Sequence, residues 1–151
     1  MLRATSRTSP TKTVSQVEET IKGAKRKLQD NQFEDAELLF TKAIKMDPEN
    51  LRAWEGRAVS FERRGDFQRA LQDARAMIKS FPSNAQGYLR CGKVLRLLER
   101  AEDAVGIYKV GLKMVPKEDK LFGELQKQID SLLEGSRREE RASGLPIEVI
   151  I

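Results

Sequence analysis

Residues that do chemistry are scarce in this chain of 151 residues. It has no histidine and a single cysteine, Cys91. The commonest general base and the commonest metal ligand are therefore missing. Cys91 has no imidazole to activate it as a nucleophile, and one cysteine forms no intramolecular disulfide. The acid pairs Glu18-Glu19 and Glu139-Glu140 read as solvated surface. GxGxxG, a phosphate loop, HExxH and paired-cysteine metal spacings are all absent from the sequence. No catalytic residue, metal ligand or cofactor is assigned, and a non-enzyme is expected. What remains is binding chemistry carried by charge: 28 Lys and Arg against 23 Asp and Glu, a formal net of +5. No apolar stretch approaches the roughly 18–20 residues of a membrane span. Lys and Arg alternate with acids and no aromatic series offers base stacking, which argues against nucleic acid.

The cations are placed by a repeat. Pro48, Pro82 and Pro116 are spaced by 34 residues, in the contexts KMDPEN, SFPSN and MVPKED. With each proline at position 32, the repeats are 17–50, 51–84 and 85–118. Position 8 holds Ala24, Ala58 and Gly92, and position 20 holds Ala36, Ala70 and Ala104. Large residues follow at Trp54 and Tyr88 (position 4), Phe61 and Leu95 (11), and Phe40 and Tyr108 (24). Small residues let two antiparallel helices approach, and large ones fill the space around the contact. Proline ends the second helix. Turns are expected at DNQF, RGDF and ERAE. This pattern resembles the tetratricopeptide repeat, TPR, with Thr20 departing from the aromatic at position 4. The resemblance implies an all-α fold, a right-handed superhelix of three helix-turn-helix repeats with a concave groove. Cys91, at position 7, is expected as an inert packing residue. Residues 119–134 place Leu121, Phe122, Leu125, Ile129, Leu132 and Leu133 on one face and read as a C-terminal capping helix with a polar outer side.

The resemblance implies that positions 2, 5, 6, 9, 12 and 13 line the groove. These hold Glu18, Ile21, Lys22, Lys25, Leu28 and Gln29, then Arg52, Glu55, Gly56, Val59, Glu62 and Arg63, then Gln86, Leu89, Arg90, Lys93, Arg96 and Leu97. Seven are basic (Lys22, Lys25, Arg52, Arg63, Arg90, Lys93, Arg96) and three acidic. Such a surface favours an acidic peptide or protein segment; the alternative is a solvated helix face. Chaperone-binding relatives clamp a C-terminal carboxylate with Lys, Asn, Asn, Lys and Arg. Those positions here hold Ile21, Lys25, Gly56, Gln86 and Arg90, so only Arg90 matches and a chaperone clamp is not expected.

The ends read differently. Residues 1–16 are Ser/Thr-rich with Arg3, Arg7 and Lys12 and no acid, and are expected to be a disordered tail. A mitochondrial transit peptide is the other reading, opposed by Pro10 and the scarcity of apolar residues. Residues 135–144 read as a charged linker. The segment 145–151, LPIEVII, resembles the opening of an F-box at Leu145, Pro146 and Glu148; the alternative is a tail strand packed on the repeats. TPR, linker and LPxE together resemble fungal F-box proteins with N-terminal TPR and C-terminal leucine-rich repeats. That resemblance implies a receptor of an SCF-type ubiquitin ligase, tethered to replisome components in the nucleus. The chain would then be a truncated piece, with the adaptor Skp1 bound only by the full-length protein. The competing expectations are a free-standing TPR adaptor or scaffold, cytoplasmic or nuclear, and a mitochondrial protein. A monomer is expected, with a dimer through the first repeat as the alternative.

Overall fold

The computed structural model describes residues 10–144. Among these are seven α-helices and no strand: α1 (Pro10–Gln29), α2 (Phe33–Met46), α3 (Leu51–Arg64), α4 (Phe67–Ser80), α5 (Ala85–Leu97), α6 (Ala101–Met114) and α7 (Phe122–Ala142). The described residues are all-α, as expected. None of these helices is long and apolar enough to cross a membrane. Two compact units divide after Ala76, within α4.

The 34-residue pattern acts through its packing positions. Ala24, Ala36, Ala58, Ala70 and Ala104 are all fully buried. Gly92 is buried too, and a Cβ there would overlap the Tyr108 ring. In the first unit, Val17, Ile21, Ala24, Ala36, Phe40, Ala43, Ile44 and Ala53 form one core, with Leu28, Leu39, Met46 and Trp54 packed on it. In the second unit Tyr88, Cys91, Val94, Leu95, Tyr108, Leu125 and Ile129 are buried.

In the second and third repeats the aromatic at position 4 also ties the first helix to the preceding proline turn. Trp54 Nε1 donates to the Pro48 carbonyl at 2.8 Å, and the Tyr88 hydroxyl donates to the Pro82 carbonyl at 2.6 Å. Tyr88 is buried, whereas Trp54 is only partly so. Asn50 and Asn84 cap α3 and α5: their side chains accept from the Ala53 and Gln86 N–H groups at 3.3 and 2.9 Å. Within the repeats the turn is made at position 15, where Asn31, Gly65 and Glu99 have φ of 59°, 84° and 59°. Each is followed by a six-to-one closing bond, as in Gln32 N to Lys27 O, Asp66 N to Phe61 O and Arg100 N to Leu95 O.

Two boundaries differ from expectation. The helix begins at Pro10, not at 17, so residues 10–16 are helical and not a disordered tail. Proline is well tolerated in a first helical turn, where its missing N–H has no partner to lose. The expected linker is also helical as far as Ala142, because α7 continues through it. Arg and Glu are good helix formers, and the helix stops where Gly144 turns left-handed at φ 67°. The F-box residues Leu145, Pro146 and Glu148 lie outside the described residues, as does the first part of the expected tail.

Candidate functional site

Basic side chains line a depression in each unit. On α1, residues three and four apart share a face, which brings Lys22, Lys25 and Arg26 together beside Glu18 and Glu19. Arg52 of α3 completes this depression. Four cations stand there against two carboxylates. Arg52 meets Glu18 in a 3.1 Å ion pair, with both side chains about half exposed (53% and 45%).

On α5, Leu89, Arg90, Lys93 and Arg96 follow the same spacing and line a second depression of about 360 Å³. Gln86 of α5 lines it too, and the other walls come from Tyr108 on α6 and from Glu124 and Gln128 on α7. Arg96 Nη1 donates to Gln128 Oε1 at 2.8 Å, and Gln128 Nε2 donates to Glu124 Oε1 at 2.7 Å. Burial pushes the Tyr108 pKa up from its ordinary 10.0; the Arg96 charge opposes that rise. Burial alone raises Tyr88. Both phenols are therefore neutral near neutral pH.

Of the seven basic residues singled out in the sequence, Lys22, Lys25 and Arg52 share one depression and Arg90, Lys93 and Arg96 the other. Arg63 lines neither. Its Nη1 donates to the Leu28 carbonyl at 3.3 Å, and its guanidinium lies 5.9 Å from the Phe33 ring centre. Ile21 is fully buried and is core, not lining. Gly56 sits under the Phe40 ring, which would overlap any added Cβ. Two of the five clamp positions are thus occupied by packing residues. Cys91 is a fully buried free cysteine.

Sequence reasoning missed Arg26, Tyr108, Glu124 and Gln128. The i, i+4 spacing of Glu124 and Gln128 was visible, but a polar face on a capping helix reads as solvent-facing until α5 is placed beside it. It also missed Arg57. Arg57 Nε and Nη2 grip the buried Asp73 carboxylate at 2.8 Å each, and Nη1 reaches Thr41 Oγ1 at 3.3 Å. The guanidinium lies 5.0 Å from the Trp54 ring centre.

Helical hairpins with small residues at their crossings and polar, charged depressions on their first helices define a helical-repeat binding protein. The family model described as tetratricopeptide repeat matches residues 21–85 and 58–119, and the chain belongs to that family. It is a TPR protein-interaction module. It is 38% identical, over 112 residues and 71% of its length, to the F-box/TPR repeat protein pof3 of Schizosaccharomyces pombe. Over 73 residues, 48% of its length, it is 40% identical to Protein DIA2 of Eremothecium gossypii. The chain spans 19% and 11% of these two relatives. Among solved structures, the TPR2B domain of yeast Sti1 in complex with an Hsp70 peptide has a TM-score of 0.69 at 17% identity. That match covers 79% of this chain and 97% of the other, and shows the fold.

Proposed function

We propose that this chain is the TPR tether of an SCF-type ubiquitin-ligase receptor, recruiting the ligase to replisome partners in the nucleus. The observation that carries the reading is the 38% identity to pof3, a protein named for its F-box and TPR repeats. The basic depressions supply the means. Lys22, Lys25, Arg26 and Arg52, and separately Arg90, Lys93 and Arg96, attract acidic segments of a partner. Charge complementarity of this kind accelerates encounter and selects among partners more than it adds affinity. Skp1 is engaged by the full-length receptor through the F-box. The test is a deletion of 17–118 in the full-length protein of its native cell. Skp1 co-precipitation should persist while replisome proteins are lost and nuclear foci at replication sites disappear. Retention of replisome proteins without the repeats would overturn the tether role.

A free-standing adaptor for an acidic peptide is the second reading, favoured by the likeness to a Sti1 domain solved with a bound peptide. It is separated by the transcript: a stop codon directly after Ile151 supports it, and continuation into an F-box supports the tether.

A further inference from the structure

The second-unit depression has two unlike walls. Its α5 wall carries Arg90, Lys93 and Arg96, and its α7 wall carries the Glu124 carboxylate. Gln128 joins them, accepting from Arg96 at 2.8 Å and donating to Glu124 at 2.7 Å. An amide is suited to this place because it accepts and donates at once, linking a cation to an anion without carrying charge. Leu89, beside Arg90 on α5, adds apolar surface to the α5 wall.

We propose that α7 is the specificity wall of this depression and gives it a polarity. Resting on the acidic-partner reading above, the proposal commits to one occupant. That occupant is a peptide segment whose carboxylate lies against α5, with an apolar side chain beside it on Leu89. The residue facing α7 is uncharged or basic. A second acid there meets Glu124 at short range and is rejected, since like charges brought together at a partly desolvated surface repel. Gln128 is a positioning residue. It restrains Arg96, so less side-chain freedom is lost when a carboxylate arrives.

Two fluorescein-labelled octapeptides test this. One carries two aspartates beside a leucine, and the other carries two further aspartates on the far side of that leucine. Anisotropy titrations with the whole chain should show the four-acid peptide binding no more tightly than the two-acid one. Glu124→Gln should shift the ratio in favour of the four-acid peptide by about threefold to tenfold. Gln128→Ala should weaken both peptides by about threefold, with Tm unchanged, and Gln128→Asn should restore part of the loss. Binding of both peptides with a ratio unmoved by Glu124→Gln would overturn the polarity while leaving the acidic-partner reading intact. Failure of both peptides to bind, or binding unaffected by Arg90→Glu with Lys93→Glu, would instead sink the acidic-partner reading at this depression.

Discussion

Arg57 and Asp73 hold each other through two parallel hydrogen bonds of 2.8 Å, with side chains 19% and 7% exposed. Removing one member of such a pair strands a charge, which costs far more than the intact pair contributes. Arg57→Ala should therefore destabilise the protein by about 3–5 kcal/mol in urea unfolding. Arg57→Met with Asp73→Leu should cost much less, because no charge is left behind. Equal losses would show that packing of the arginine stem matters and the charge does not. A second residue-scale effect is set by pH. The folded pKa of Tyr108 is raised, chiefly by burial. The native state therefore holds its phenolic proton more firmly than the unfolded chain does. The stability this provides is complete below the unfolded pKa of about 10 and is lost as pH rises through the folded value. Tyr108→Phe keeps the ring over Gly92 and should flatten the fall in Tm above pH 10; an unchanged alkaline slope would place the titration elsewhere.

At the scale of helices, the repeat consensus and the structure disagree about Gly92. Position 8 holds alanine in the other two repeats, and Gly to Ala inside a helix ordinarily gains about 1 kcal/mol. Here the added Cβ would overlap the Tyr108 ring, whereas Ala58 has Ala74 at position 24 of its own repeat, and the Phe40 ring at that position of the first repeat lies over Gly56. Gly92→Ala should thus be a net loss of about 1–3 kcal/mol, read as a lowered Tm. A gain would mean that the hairpin of α5 and α6 opens readily. The helical hairpins themselves were legible, because prolines, small residues and large residues recur at fixed offsets and each type has one packing role. The left-handed residue at position 15 was legible only at Gly65. Asn31 and Glu99 take the same conformation with side chains that do not announce it, held there by the six-to-one bonds that close each hairpin. The outer boundaries were misread for a different reason. Pro10 reads as a breaker by type, yet it stands at the helix start, where it is tolerated. The run Gly-Ser-Arg-Arg-Glu-Glu reads as a linker by its charge, yet most of its residues favour helix and α7 continues through it.

For the whole molecule the decisive quantity is where the +5 charge resides. Repeat positions on α1, α3 and α5 revealed six of the cations that line the depressions. The walls supplied by α6 and α7 became visible only once those helices were packed. Each depression is built within its own unit, so its contribution can be removed without touching the other. Lys22→Glu with Lys25→Glu, and Arg90→Glu with Lys93→Glu, should each weaken an acidic partner by about tenfold. Lys22, Lys25 and Lys93 are exposed, so reversing their charge removes little packing; Arg90 is half-buried, so unchanged helical circular dichroism is the control that its pair must pass. If one partner uses both places independently, the two losses multiply in the fourfold variant, as independent contributions do. If only one depression is used, one pair is silent and the fourfold variant matches the other pair. Salt supplies a control on mechanism. Raising ionic strength from about 0.05 to 0.5 M shortens the Debye length several-fold, so wild-type association should slow markedly. Dissociation should change little, and the reversed variants should lose most of their salt dependence. Stopped-flow traces in which salt alters only dissociation would show that the cations act after docking, as buried anchors, and not as the field that draws the partner in.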